Sequence, residues 1–337
     1  MKITRFETNF NKKVYYEKTS LKDKRLFQFK EREIINIYPN LEYQTFMGFG
    51  AAITEAAGYA YSKLPDEKRK DLINEYFSES GLNYSLARLP IGSCDFGLKS
   101  YSYSSKRDLS DFSIEKDRQY IFPLLKDANS VKQLTLFASP WSPPAFMKNT
   151  RWLYLGGRLR KKYKHTWADY FVKYINSYKQ EGFNINYVTV QNEPNAIQIW
   201  ESCLYNPEEE ADFAINYLYP TFKDNNIDTK ILIWDHNKER IFNRAVSEFS
   251  IEGSDKIDGV AYHYYSGDHF ENLSLVSKNF PNKLLIHTEG CTGYSDFRSS
   301  DEIGNGELYA HDILGDLNSG SNRIYWLEFN SWPYWWT

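Results

Sequence analysis

From about residue 44 onward, short apolar runs alternate with longer segments whose apolar residues recur every three or four positions. The runs cover residues 45–53, 84–91, 133–138, 187–190, 230–234, 259–262, 283–288 and, more weakly, 323–327. They are too short for helices and predict buried β-strands. Between them, Trp167, Tyr170, Phe171, Tyr174, Ile175 and Tyr178 form one helical face, with Thr166 as the expected N-cap and Gly182 just past the end. Asn206-Pro207-Glu208-Glu209-Glu210 reads as a cap, a proline at the first helical position and an acidic first turn that suits the positive helix end. Pro65-Asp66-Glu67 opens another helix with Leu72, Ile73, Tyr76 and Phe77 on its inner face, closed by Gly81. Eight strands alternating with helices predict an α/β fold, a (β/α)8 TIM barrel over residues 41–328. Residues 1–40 are lysine-rich with alternating stretches such as Glu33-Ile34-Ile35-Asn36-Ile37-Tyr38, and predict one or two β-strands outside the repeat.

In such a barrel the C-terminal strand ends form the mouth where chemistry is done. Read in order, those ends carry Arg88 with Cys94 and Asp95, Ser139-Pro140-Trp141, Asn192-Glu193, Asp235-His236, His263-Tyr264-Tyr265 and Glu289. Polar strand ends are common. What is specific is a pair of carboxylates, Glu193 after the fourth strand and Glu289 after the seventh, aimed into one mouth. Acetal cleavage requires facing carboxyls: one protonates the leaving oxygen and the other supplies electron density to an oxocarbenium-like carbon. A gap of about 5 Å gives a covalent sugar intermediate, and a wider one admits water and inverts. One carboxyl must hold a proton near neutral pH, through burial or a nearby negative charge. Asn192 can donate its amide to a sugar hydroxyl. Arg88, permanently cationic, can hold the other carboxylate ionised, or serve as a structural ion pair inside the barrel. Three prolines stiffen residues 139–144 and fix the Trp141 indole, as a sugar platform or as a packed loop residue. His263 can hydrogen-bond a carboxylate, whereas His165, His269 and His311 suit surface or helix positions.

Composition narrows the classes. With 41 basic and 44 acidic residues the net charge is −3, and no long basic block points to a nucleic-acid partner. Cys94, Cys203 and Cys291 are odd in number and lack C-x-x-C spacing, which predicts reduced thiols. The abundant tyrosines and tryptophans suit a sugar cleft and an ordinary core equally. The polar start, Met1-Lys2-Ile3-Thr4-Arg5-Phe6-Glu7, has no apolar run behind it, and no stretch approaches the ~20 residues of a membrane span. The expected location is cytoplasmic, or secreted where a leader is missing from the sequence. A metal-dependent barrel hydrolase needs clustered histidines such as H-x-H on the first strand, and residues 46–53 contain none. Neither cofactor nor metal is expected.

Seven motifs follow one another along the chain: Gly48-Phe49-Gly50-Ala51-Ala52, Arg88-Leu89-Pro90, Ser93-Cys94-Asp95-Phe96, Ala138-Ser139-Pro140-Trp141-Ser142-Pro143-Pro144, Asn192-Glu193-Pro194, His263-Tyr264-Tyr265 and Thr288-Glu289-Gly290. This ordered set resembles glycoside hydrolase family 30, most closely its glucosylceramidase-like branch, over about residues 40–322. The resemblance implies a retaining β-glucosidase with Glu193 as acid/base and Glu289 as nucleophile. It also implies Asn192 at the sugar 2-hydroxyl, Asp95 and Trp141 on hydroxyls across the ring, and Arg88, His263 and Tyr265 positioning the nucleophile. Glucose-directed members of the family carry an aspartate at the position of Asp95, which favours a β-glucoside over a xylan. The aglycone stays open, since glycolipid, oligosaccharide and aryl glucosides present the same glucose. The loop 197–205, with Trp200 as platform, falls on the leaving-group side. β-1,6-Glucanase and β-xylosidase activities of the same family are alternatives, and oligomeric state is open.

The last strand departs from the family pattern. Members carry a W-x-D-W-N-like segment, then Gly-Gly-Pro, then a long stretch completing a side β-sandwich begun by the N-terminal residues. Here Arg323-Ile324-Tyr325-Trp326-Leu327-Glu328 stands in its place, with Trp326 at the family's tryptophan position, and residues 329–337 read as an aberrant tail. Bases encoding Tyr334-Trp335-Trp336-Thr337 can spell Ile-Gly-Gly-Pro in the neighbouring frame, which predicts a frameshift near residue 323. Without the sandwich, residues 1–40 leave an open sheet edge. The competing expectation is therefore a chain of low stability, an inactive or merely sugar-binding remnant.

Overall fold

The computed structural model describes residues 3–9, 12–21, 38–291 and 302–326, in two units, Met1–Tyr43 and Gln44–Thr337. The first unit holds an antiparallel pair, β1 (Ile3–Asn9) and β2 (Val14–Leu21). The alternating stretch at 33–37 lies outside the described residues, as does the tail 327–337 on which the frameshift expectation rests.

In the second unit all eight predicted strands form. They are β3 (Phe49–Ala52), β4 (Leu86–Pro90), β5 (Thr135–Ser139), β6 (Ile185–Thr189), β7 (Lys230–Asn237), β8 (Gly259–His263), β9 (Leu284–Glu289) and β10 (Arg323–Trp326). They close into a parallel barrel in the order β10-β3-β4-β5-β6-β7-β8-β9. The first barrel strand starts at residue 49 rather than 45, because Gly48 at φ +129° breaks the extended chain before it.

The helices follow their apolar stripes. In the helix Lys164–Gln180, Trp167, Tyr170, Phe171, Tyr174 and Tyr178 are all fully buried, and burying each such ring stabilises by roughly 1.5–3 kcal/mol. Thr166 is not its cap: the helix begins at Lys164, because the 3-10 turn Lys161–Tyr163 already winds the chain and runs straight into it. Gly182 does follow its end, at φ +92°. Asn206 caps the helix Pro207–Phe213 in a reciprocal box: its side chain accepts from Glu209 N at 2.7 Å, and the Glu209 carboxylate accepts from Asn206 N at 3.0 Å. The helix Asp66–Phe77 buries Ile73 and Phe77 as expected. None of Cys94, Cys203 and Cys291 forms a disulfide. Among the described residues, no helix is long and apolar enough to cross a membrane.

The barrel lumen is built in two levels. Leu86, Phe137, Tyr187, Leu232, Ala261 and Ile286 fill its lower part. Side chains alternate along a strand, so the residue two places further on faces the lumen again, nearer the mouth. Those residues are Arg88, Ser139, Thr189, His263 and Thr288, all polar. On β7 the position after Leu232 is taken instead by Asp235, because a bulge between Trp234 and His236 inserts one residue. Trp234 (φ +73°) and Asp235 (φ +48°) are both left-handed there. Trp234 turns outward against Arg244, 5.2 Å from its ring, and Asp235 turns inward. A second irregularity, where His263 pairs with Glu289 while Tyr262 pairs with His287, brings Glu289 to the mouth beside Thr288.

Candidate active site

Arg88, from β4, is 1% exposed and organises the upper lumen. Its Nη1 donates to Glu289 Oε2 at 2.5 Å, and its Nη2 donates to Asn192 Oδ1 at 2.8 Å and Asp235 Oδ2 at 3.0 Å. Burial works against its charge, but Asp235 and Glu289 outweigh that and hold the guanidinium firmly protonated. Its flat face lies 4.8 Å from the Trp141 ring. The other oxygen of Glu289 accepts from the Tyr265 hydroxyl at 3.0 Å. Glu289 is thus clamped on both oxygens, one by a cation and one by a phenol.

Glu193 stands differently. Beyond β6 the chain turns, with Asn192 N donating to Pro140 O and Glu193 N to Asp235 O, both at 2.9 Å. Glu193 itself sits at φ +47°, directly before Pro194. A non-glycine residue in this region costs about 1–2 kcal/mol, and the conformation aims the carboxyl into the mouth. Its Oε1 lies 3.3 Å from His263 Nδ1 and 3.7 Å from His236 Nδ1, and its Oε2 accepts from Gln198 at 3.3 Å.

Protons divide unevenly. Burial raises Glu193, but the hydrogen bond and charge of His263 overcome it and bring the group down to about 2. Burial lowers His263, but Glu289, Asp235 and Glu193 overcome it and lift the imidazole to about 9. A protonated carboxyl of the pair is expected from the sequence, yet here the proton sits on His263. The carboxyl held up to about 7 is Asp95, by burial and then by the charges of Glu289 and Glu193. Among the described residues, its Oδ1 is buried without a hydrogen-bond partner.

One cavity of about 320 Å³ joins Asp95, Trp141, Asn192, Glu193, Tyr265 and Glu289, with Gln198, Trp200 and His236 on the same wall. His263 and Arg88 lie beneath, fully buried. Trp326 ends β10, and its side chain is outside the described residues. His165 and His311 are exposed helix residues, and His269 precedes a helix, so none joins the site.

The family model of the glycosyl hydrolase family 30 TIM-barrel domain matches residues 46–332. The chain belongs to this family. Among relatives, lysosomal acid glucosylceramidase of Mus musculus is 30% identical over 305 residues, covering 84% of this chain and 59% of that protein. The crystal structure of SrfJ from Salmonella typhimurium superposes with a TM-score of 0.92 at 34% identity, covering 97% of this chain and 74% of that one. The endo-β1,6-glucanase BT3312 superposes at 0.80 with 29% identity, covering 86% and 68%. The chain spans about 60% of the length of the glucosylceramidase relatives it matches.

Within this family 30 barrel, Asp235 stands at a strand end as the sequence places it, but its role at the centre of the polar network shows only in the fold. Asp235 is 0% exposed and faces Arg88, Ser139 Oγ (2.7 Å), Thr189 Oγ1 (2.7 Å), His263 Nε2 (3.1 Å) and Thr288 Oγ1 (2.5 Å). Its carboxyl is held far below the usual range because Arg88 and His263 outweigh its burial. A polar residue after an apolar run was the only signal, and the bulge that turns it inward has no sequence signature. Among the described residues, two groups bring potential metal ligands within 4.8 Å of one another: Glu193, His236 and His263, and separately His287, Asp312 and Asp316. In the first, both His263 nitrogens already face carboxylates, Nδ1 that of Glu193 and Nε2 that of Asp235. In the second, the Lys238 ammonium already bonds both carboxylates.

Proposed function

We propose that this chain hydrolyses β-glucosides with retention of configuration, Glu289 acting as nucleophile and Glu193 as acid/base. The observation that carries this is the contrast between the two carboxyls of one cavity. Glu289 is oriented by hydrogen bonds from Arg88 and Tyr265 on its two oxygens, while Glu193 shares a proton with His263. Glu289 attacks the anomeric carbon as the bond to the aglycone oxygen breaks. The proton passes from His263 through Glu193 to that oxygen, and Glu193, again a carboxylate, then draws a proton from the water that cleaves the glycosyl ester. Asn192 has its Oδ1 engaged by Arg88, which leaves its Nδ2 to donate to the sugar 2-hydroxyl. The unpartnered Asp95 Oδ1 suits a sugar hydroxyl on the opposite side of the ring.

A β-glucoside with a lipid aglycone fits the named activity of the mouse relative, and a β-1,6-linked glucan fits that of BT3312. An aryl β-glucoside tests what both share. Proton NMR of the first product should show β-glucose before mutarotation, and a 2-fluoro-glucoside should label Glu289 by intact mass. α-Glucose first would overturn retention. Folded protein that binds glucose analogues without turnover would select the sugar-binding remnant instead.

A further inference from the structure

On the far side of β9 from the cavity lies a second group of charges, fully enclosed. His287 projects between the barrel and the helix Glu302–Asn318, where its Nδ1 lies 2.8 Å from Asp316 Oδ2 and 3.6 Å from Asp312 Oδ2. Lys238, from the turn after β7, bonds both Asp312 and Asp316, the latter at 3.1 Å. All four side chains are at most 3% exposed. The Phe270 ring closes the group, 4.6 Å from Lys238 Nζ and packed on Gly315, where a Cβ would fall 2.0 Å from its Cζ.

Lys238 and His287 thus meet two aspartates on one helix face, with the Nδ1 edge of His287 turned to Asp316. The other ring nitrogen is also committed: Nε2 lies 2.8 Å from the Glu289 carbonyl oxygen, an atom that can only accept. A buried imidazole held on one side by carboxylates and on the other by a backbone carbonyl has a single orientation. That carbonyl belongs to the residue whose carboxylate must meet the sugar.

We infer that His287 is a positioning residue for Glu289, and that the helix Glu302–Asn318 acts on the site through it by way of Asp312, Asp316 and Lys238. This rests on Glu289 being the nucleophile of the proposed reaction. The chain from helix to carboxylate runs through one hydrogen bond. Loss of that bond frees the strand end just where the second irregularity of β9 lifts Glu289 to Arg88 and Tyr265.

The test compares full-length wild type, His287→Ala, His287→Gln and Asp316→Asn for kcat and KM on an aryl β-glucoside, with melting temperature and crystal structures beside them. His287→Ala should lose about 100-fold in kcat with KM little changed, the scale of a misplaced reacting group, and its Glu289 carboxylate should leave Arg88 Nη1. His287→Gln, whose amide can donate to the same carbonyl, should recover most of that loss even where melting temperature stays lowered. An unchanged kcat with Glu289 in place overturns the inference, and so does a loss that tracks melting temperature and is not recovered by glutamine. If His287→Ala does not fold, Asp316→Asn decides by the same two readouts. A wild-type chain without turnover counts against the proposed hydrolase. The position of the Glu289 carboxylate in the variant crystals then decides this inference: displaced supports it, unmoved overturns it.

Discussion

His263 joins Glu193 to Asp235 through its two ring nitrogens, with Nδ1 3.3 Å from Glu193 Oε1 and Nε2 3.1 Å from Asp235 Oδ1. The same ring stands 3.9 Å from Glu289 Oε2, so one imidazole touches both carboxyls of the pair. In the resting site the mobile proton belongs to this assembly and not to Glu193 alone.

The pH profile follows from that sharing. His263 is raised to about 9, so the Glu193–His263 unit keeps its proton below that value and loses it as pH rises through it. The alkaline limb of kcat/KM should therefore fall near pH 9. In His263→Asn, burial acts on Glu193 without a cationic neighbour, and the limb should move to lower pH as a carboxyl titrates alone. An alkaline limb that stays near 9 in the variant would mean another group carries the proton. Stability has its own window. The His263 contribution is complete below 6.5 and lost toward 9, and the Glu193 contribution is complete above 4.5 and lost toward 2. Melting temperature should decline on both sides of the interval between, and His263→Asn should flatten the alkaline side.

Replacing either carboxyl separates the two roles. Glu289→Gln removes the nucleophile and should cost about 1000-fold or more in kcat on every glucoside. Glu193→Gln should cost about 100- to 10,000-fold where the leaving alcohol is a sugar or alkyl group and needs a proton. With a dinitrophenyl glucoside, whose leaving group departs as an anion, formation of the glycosyl-enzyme should be nearly spared. Pre-steady-state release of dinitrophenol is the measurement. Equal losses on both substrates would contradict the assignment of Glu193 as the acid.

Arg88 carries stability and chemistry together. Arg88→Met leaves Asp235 and Glu289 buried without their cation, a loss of about 3–5 kcal/mol, or a fall of roughly 10 °C in melting temperature. The loss should shrink at low pH, where a protonated carboxyl no longer needs the guanidinium. Arg88→Lys keeps the charge but cannot reach Glu289, Asn192 and Asp235 together, so it should fold and turn over poorly. A pH-independent destabilisation of Arg88→Met would show packing against Trp141, and not charge, to be the larger part.

All eight barrel strands were legible because each is an apolar run whose ends are polar, and burial on both faces makes that pattern strong. Glu193 and Glu289 were legible for the same reason, since both stand immediately beyond such runs. What escaped were features set by one extra residue. Strict alternation from Leu232 sends Trp234 into the lumen and Asp235 out of it, and the bulge reverses both. The protonation of Glu193 escaped too, since it depends on His263, a residue 70 positions away that only the closed barrel brings to 3.3 Å. Likewise the helix at 164 starts before its expected cap, because the preceding 3-10 turn is set by tertiary packing.

Two glycine-to-alanine changes should move stability in opposite directions. In β3, Gly50 pairs with Leu86 of β4, and a Cβ there would stand 2.1 Å from the Leu86 carbonyl oxygen. Backbone cannot swing aside as a side-chain tip can, so Gly50→Ala must push the two strands apart where Arg88 emerges two residues later. Such overpacking costs about 1–3 kcal/mol and more when backbone is the obstacle, and the strain should also loosen the Arg88–Glu289 contact and lower kcat. Gly306, on the exposed side of the helix Glu302–Asn318, has nothing within 4 Å of its added Cβ. Gly306→Ala should stabilise by about 0.5–1 kcal/mol through helix propensity and reduced unfolded-state freedom. Urea titrations of the two variants against wild type measure both signs at once. A Gly50→Ala barrel as stable as wild type would contradict the close approach of β3 and β4.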